Sequence, residues 1–476
     1  MAAGSAFAAD DALIDKLVEK GTITSDEGRS LKAADSRDPA VPQPQKGATY
    51  GGINLQVGGF IEAASIYRSR DDVADVGSTF SGIPFASNSR YNVDELRGTA
   101  RQSRLSLLAQ GDYSPTTHLA AYYEMDFLGA GPPSNSNESN SFLMRIRHLY
   151  ATTDWDNLGL HLLMGQSWSL ATLNNMGITP RNEWIPLTID AQYAVGFTWA
   201  RQWQARIVKD WDKTYWAALS IENPQTVLGG SGPSPASALY SFPGNVQLNN
   251  GGGAYSINSI PDVIGKFAYE SPWGHYEVYD LARTFEWTNL NGNGHSLTVA
   301  NSVGAGAIVP VVRGFADFSL SGLYGRGVGR YGSAQLADAT FESNGGIVPL
   351  KGHQVLAGLT LHPNRAWDVY FNAGEEKDDK AASTGTIGYG NSGLNISNCA
   401  LAATAAGACS ANINSVDQLV AGFWWTFYQG SIGKMKFGAQ YSYTTVSTYA
   451  GLNGAATIAP TTNDNMFFTS FRYYPF

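Results

Sequence analysis

From Ile53 onward, apolar and polar residues alternate with a period of two. Residues 53–57 set Ile, Leu and Val against Asn54 and Gln56, and the same alternation runs through 118–127, 353–361 and 433–443. This is the period of a strand with one apolar face. Runs of ten or more such residues exceed the roughly five or six of an ordinary strand. They suit a barrel wall, where about 9 to 11 tilted residues cross a membrane. Breaking the alternation at turn residues predicts sixteen strands, near 53–67, 100–112, 116–128, 142–155, 158–167, 199–210, 214–223, 260–272, 274–287, 294–309, 311–324, 352–363, 366–376, 416–429, 432–446 and 463–476. Phe467, Phe471 and Tyr473 share one face of the last strand, and Pro475 removes a ladder donor, so regular pairing is expected to finish near Tyr473.

The connections alternate in length. Tight turns are expected at Tyr113 to Pro115, Asp156 to Asn157, Asp212, Pro272 to Trp273, Pro310, Asn364 to Arg365 and Gly430. Long loops fill 68–99, 129–141, 168–198, 224–259, 325–351, 377–415 and 447–462, with 288–293 a shorter member. A soluble sandwich gives no reason for every second loop to be long. An outer-membrane barrel does, because its periplasmic turns are short and its extracellular loops long. An even strand count also puts both barrel ends on the periplasmic side.

The chain before the barrel has a different period. Ala6-Phe7-Ala8 followed by Ala9-Asp10 reads as the small-residue end of a secretory signal, so 1–9 is taken as its remnant. Leu13, Ile14, Leu17 and Val18 form a helical stripe, Gly21 can stop that helix, and Thr24 to Glu27 make a capping box for a second. Residues 10–34 are thus a short helical hairpin. So narrow a stripe is marginal alone, and packing against copies of itself as a coiled coil is the reading preferred to a frayed tail. Residues 35–52, with Pro39, Pro42 and Pro44, are a linker, and 53–476 the barrel.

The two faces of the strands carry the functional signal. Tyr123, Met125 and Phe127 are expected to face lipid, with Tyr122, Glu124 and Asp126 inward. Near the C-terminus Met435, Phe437, Ala439, Tyr441 and Tyr443 alternate with inward Lys434, Lys436 and Gln440. A charge on the lipid face costs about 2–4 kcal/mol at the midplane, so the charges must face water. By the same parity Gln102, Arg104, Arg145, Arg147, Gln202, Gln204 and Arg206 line the lumen. A ring of arginines favours anions, and the planar guanidinium suits carboxylate or phosphate. Against this, Glu124 and Asp126 lie between Arg104 and the Arg145 and Arg147 pair, where cross-strand ion pairs could cancel the field. Arg101 and Arg201 have the opposite parity and are placed near the extracellular rim or at a bulge. The connection 168–198 is a candidate constriction, or else an ordinary surface loop; it carries Arg181, Glu183 and Asp190 with Trp168 and Trp184.

Composition narrows the alternatives. With 53 Gly, 24 Tyr, 21 Phe and 12 Trp but only 15% charged residues, the chain is rich in turn and strand formers. No run approaches the roughly eighteen apolar positions of a membrane-spanning helix. The net charge of −9 excludes nucleic acid as a partner. Cys399 and Cys409, the only cysteines, would be joined in an exported protein; two unrelated thiols are the alternative.

Several segments resemble the DcaP-like family of trimeric outer-membrane porins. They are the hairpin with its proline-rich linker, Arg145 to Tyr150 (RIRHLY), Gly165 to Trp168 (GQSW), Ser220 to Pro224 (SIENP), Pro261 to Val263 (PDV) and Gly325 to Tyr331 (GRGVGRY). The resemblance implies a homotrimer of sixteen-stranded barrels in the outer membrane, with lipid and lipopolysaccharide around it. It also implies a periplasmic N-terminal coiled coil and passage of small anionic solutes such as dicarboxylates. The chain is more distantly similar to phosphate-selective porins but has no lysine ladder of their kind.

An enzyme is the second class considered. No metal-ligand spacing, cofactor motif or nucleophile motif is present, and His148 and His161 read as wall residues rather than catalysts. A structural or adhesive barrel is the third.

Overall fold

The structure is a computed structural model that describes residues 20, 47–72, 74–129, 143–232, 241–242, 255–256, 258–288, 295–383, 385–401 and 409–475. The signal remnant 1–9, the hairpin 10–34 apart from Lys20, and the linker up to residue 46 lie outside them.

Sixteen strands form the wall, in chain order. They are β1 (Ile53–Arg68), β2 in two pieces (Glu95–Thr99 and Arg104–Ser114), β3 (Thr117–Gly129), β4 (Leu143–Trp155), β5 (Leu160–Trp168), β6 (Arg201–Trp211), β7 (Tyr215–Glu222) and β8 (Asp262–Ser271). The second half comprises β9 (Gly274–Thr288), β10 (His295–Val312), β11 (Ala316–Arg326), β12 (Lys351–Asn364), β13 (Trp367–Asp378), β14 (Ile413–Gly430), β15 (Gly433–Thr448) and β16 (Thr461–Tyr474). Each pairs antiparallel with the next, and β1 closes the barrel on β16 from Ile61↔Tyr473 to Arg68↔Met466. The short Ala48–Tyr50 folds back on the start of β1. Long and short connections alternate around the whole wall, as the sequence predicts.

Two local expectations fail. Pro310 does not make a turn; it lies inside β10 opposite Asp317, where the register then slips to Val312↔Ala316. A bulge tolerates a residue without an N–H. The turn falls at Arg313–Phe315, where Gly314 adopts φ +72° and Phe315 N donates to Val312 O at 2.9 Å. The second strand is also broken: residues 100–103 turn out of the ladder, with Ser103 N on Ala100 O, so Gln102 is not a strand residue.

The outer face is a continuous apolar surface. Leu107, Leu149, Trp203, Val299, Leu419 and Phe467 are all exposed, while intervening residues such as Gln204, Ser302, Gln418 and Ser470 are buried. An exposed apolar area of this extent needs lipid against it. Near the tight turns the outer face becomes aromatic, with Tyr113, Trp211, Tyr215, Trp273, Phe315 and Trp425 exposed. This is the interfacial belt expected of a membrane barrel.

The inside is not uniformly polar. Val76, Phe80 and Ile83 of the first long loop pack with Val416, Val446 and Phe468 of the wall, and Val195 and Phe197 of the third loop with Leu356 and Tyr370. Val328 and Tyr331 of the loop 327–350 pack with Val208, Ile264 and Leu281. The hydrophobic core of this protein therefore lies between wall and inward-folded loops. Arg283 fastens the last of these loops, reaching Asp262 at 3.1 Å and Asp338 at 2.7 Å.

Candidate functional site

The loop 169–200 folds inside the barrel and is held at both flanks. A loop entering a lumen brings backbone N–H groups that need acceptors, and inward wall residues supply them. On one side Leu170 N donates to Glu222 Oε1 at 2.8 Å, Asn174 N to Glu277 at 3.2 Å and Gly177 N to Glu270, while Lys266 Nζ donates to Thr172 O at 2.8 Å. On the other, Val195 N donates to Gln418 Oε1 at 3.0 Å, Gly196 N to Glu376 Oε1 at 2.8 Å and Ile189 N to Gln440. Trp424 Nε1 donates to Leu187 O at 2.7 Å. Close approach at this flank requires Gly374, where a Cβ would stand 1.8 Å from Val195 O.

Facing the loop is an arginine cluster on β2, β4 and β6. A bulge sets Glu124 opposite His148 but Met125 opposite Ile146, so Arg147 and His148 both point inward. Arg147 is buried; it reaches Glu124 at 2.6 Å, Asp126 at 3.1 Å and the Tyr193 hydroxyl at 2.9 Å. Arg145 pairs with Asp126 at 2.7 Å, and Arg104 stands 3.9 Å from Glu124 and 3.4 Å from the Tyr193 hydroxyl. The cross-strand ion pairs considered above thus form.

They do not exhaust the positive charge. Arg201, at the loop end of β6, lies over the Trp168 ring at 4.8 Å, and its solvent-shielded Nε and Nη1 have no hydrogen-bond partner among the described residues. Tyr193 sits among these arginines with φ +70°. Burial alone would raise its phenol, but Arg147, Arg104 and Arg201 pull it down to about 7.

Below the loop, toward the tight turns, lies a cavity of about 180 Å³. Arg104, Lys436 and Arg472 line it together with Asp190, Gln102, Trp424 and Tyr474. Lys436 also reaches Asp368 at 3.2 Å, and Arg472 reaches Glu62 at 3.1 Å.

The structure brings only some of the predicted site residues together. Arg104, Glu124, Asp126, Arg145 and Arg147 form one cluster, which Lys436 joins across the cavity. Arg206 lies apart, donating to Trp168 O at 2.8 Å with Glu222 and Glu183 nearby, and Lys434 stays at the turn side, 4.9 Å over the Tyr474 ring. Of the loop residues, Arg181 faces the Tyr122 ring at 5.6 Å. Glu183 and Asp190 are buried, and burial raises both carboxyls. Asp190 accepts from Ser78 N at 3.2 Å and so ties the first long loop to the third. Cys399 and Cys409 form a disulfide. Tyr193 and Arg472 are site residues the sequence reading does not name, and Arg201, read as a rim or bulge residue, joins them. For Arg472, inward parity on the last strand was an available signal.

No protein-family profile matches the chain, and no curated protein matches it in sequence. Solved structures do. The outer membrane channel DcaP of Acinetobacter baumannii superposes with a TM-score of 0.63 at 17% identity, over 90% of this chain and 98% of that one. The chain has the fold of the DcaP outer membrane channel. The anion-selective porin from Comamonas acidovorans matches with a TM-score of 0.49 at 11% identity, over 89% and 99%. With this fold, a closed sixteen-stranded wall and an outer surface that requires lipid, the protein is a bacterial outer-membrane barrel.

Proposed function

We propose that the protein is a diffusion porin passing small hydrophilic solutes, with a preference for anions, dicarboxylates included. The observation that carries the preference is the charge surplus beside the inward loop. Glu124 and Asp126 offer two negative charges to Arg104, Arg145 and Arg147, and Arg201 beside them has Nε and Nη1 without an acceptor among the described residues. Uncompensated guanidinium charge beside the lumen favours anions electrostatically. The cavity repeats the bias, with three cations lining it beside Asp190. In this reading Arg104, Arg145, Arg147, Arg206, Lys434 and Lys436, with Glu124 and Asp126, line the path. The loop bearing Arg181, Glu183 and Asp190 narrows it.

The same reading takes residues 10–34 as a periplasmic helical segment that joins three copies, 35–52 as its linker and 53–476 as the pore. Both barrel ends lie on the tight-turn side, which suits that placement.

Reversal potentials across planar bilayers in a salt gradient test the preference, with dicarboxylates then compared as charge carriers. Anion selectivity that falls in Arg201→Gln is the expected result. Cation selectivity would overturn the anion path, and absence of any current would overturn the pore.

A further inference from the structure

Four of the histidines share one geometry that the anion path does not use. His118 places Nδ1 at 2.7 Å from Asp112 and Nε2 at 2.9 Å from Asp156. His161 places Nδ1 at 2.7 Å from Asp154 and Nε2 at 3.0 Å from Asp210, its ring stacked on Trp216. His275 does the same with Glu270 at 2.6 Å and Glu277 at 3.1 Å, and His362 with Asp368 at 2.9 Å and Asp317 at 3.4 Å. All four have inward parity, and each lies one or two residues from a tight turn, at the start of β3, β5 and β9 or the end of β12.

An ionised carboxylate only accepts hydrogen bonds. A ring with a carboxylate at each nitrogen therefore needs both N–H groups, which makes it an imidazolium. Because the two nitrogens face opposite ways, a clamp cannot converge its three groups on one metal ion, and no metal-holding group occurs among the described residues. Counted alone, the eight carboxylates and four imidazoliums of the clamps carry four net negative charges, and eight when the rings lose their protons. Three lysines also contact clamp carboxylates, and Arg206 interacts with Glu277, Lys434 with Asp368 and the buried Glu183 with Lys266. Lys266 bonds Glu277 at 2.7 Å, Lys436 bonds Asp368 at 3.2 Å, and Lys209 lies beside Asp210. The neutral contacts are loop amides, Gly177 N on Glu270 and Asn174 N on Glu277.

We propose that these clamps form a proton-titrated charge ring at the turn-side mouth, which lowers anion passage as pH rises. The proposal rests on the reading of the barrel as a diffusion pore. Charge at a pore mouth acts through the local ion concentration. Loss of positive charge from the clamps is expected to lower the anion-to-cation permeability ratio by about threefold between pH 6 and 10.

The test compares wild type with the quadruple variant H118Q/H161Q/H275Q/H362Q in planar bilayers, reading reversal potentials in a potassium chloride gradient at pH 6 and 10. At pH 6 the variant is expected to show a lower anion-to-cation ratio than wild type, and a smaller fall as pH rises. Tyr193 is present in both, so any response remaining in the variant reads the phenol, and the difference reads the clamps. A conducting wild type and variant with equal pH responses would overturn the ring while leaving the pore intact; no current from wild type would overturn the pore. Should the quadruple variant not assemble, H118Q/H362Q changes the two more exposed clamps. It is expected to lose about half of the response, and retention of the whole response would overturn the proposal.

Discussion

Gly374→Ala tests whether the inward loop is seated by contact with the wall. The added Cβ would lie 1.8 Å from Val195 O and 3.2 Å from Leu356 Cδ1. Non-bonded carbons approach oxygens to little less than about 3.2 Å, so the loop must retreat by more than about 1 Å. That shift breaks the bonds from Val195 N to Gln418 and from Gly196 N to Glu376. A neutral hydrogen bond contributes about 1 kcal/mol and one to a charged group about 1.5–3 kcal/mol. Together they come to roughly 3 kcal/mol, enough to shift the seated-to-unseated ratio about a hundredfold. The loop can only move away from β13, into the lumen and toward Arg104 and Arg147. Single-channel recording should therefore show a lower mean conductance with flicker between levels. Gly98→Ala is the control, because a Cβ there meets nothing within 4 Å. A quiet Gly374→Ala channel with wild-type conductance would refute the seating argument.

Three other outcomes are expected. Arg147→Met leaves Glu124 and Asp126 without their buried partner and should cost about 3–5 kcal/mol, read as a lower temperature for loss of the compact barrel on gels; adding Glu124→Gln should recover part of it. Raising pH through about 7 ionises Tyr193, placing a negative charge among Arg104, Arg147 and Arg201. Anion preference should fall by that component in wild type, and Tyr193→Phe should lack it in a reversal-potential titration. Replacing Cys399 and Cys409 by alanine should leave conductance unchanged, because the bridge closes a short segment of the long loop after β13. The chain-entropy cost is about 3 kcal/mol in the unfolded state, which thermal unfolding would register.

The wall was legible because each strand repeats one constraint, apolar outside and polar inside, and the turns interrupt it. Departures come where the ladder is irregular. Period two cannot show that a bulge turns both Arg147 and His148 inward, or that Pro310 is absorbed within β10. Parity sets Arg201 at the rim, where it lies, but does not show why it turns inward: its ladder partner Trp168 also turns inward as β5 ends, and the two side chains meet there. The seats of the loops were not legible at all. Val195, Gln418 and Glu376 are brought together from separations of about two hundred residues, and nothing local marks Gly374 as a contact point rather than a weak strand residue.

These irregularities also explain how one polar interior can serve two purposes. A backbone loop inside a barrel needs acceptors for its N–H groups more than donors for its carbonyls, since each carbonyl can also be met by water or a neighbouring amide. The flanks that hold the loop accordingly present Glu222, Glu270, Glu277, Glu376, Gln418 and Gln440. On β2, β4 and β6, no amide of the 169–200 loop bonds a wall side chain among the described residues, and these strands present Arg104, Arg145, Arg147 and Arg201, which only donate. Acceptors are consumed in building the constriction, and donors are left beside the lumen. The proposed anion preference would then follow from how the loop is held, and variants that unseat the loop should weaken it even when every arginine is retained.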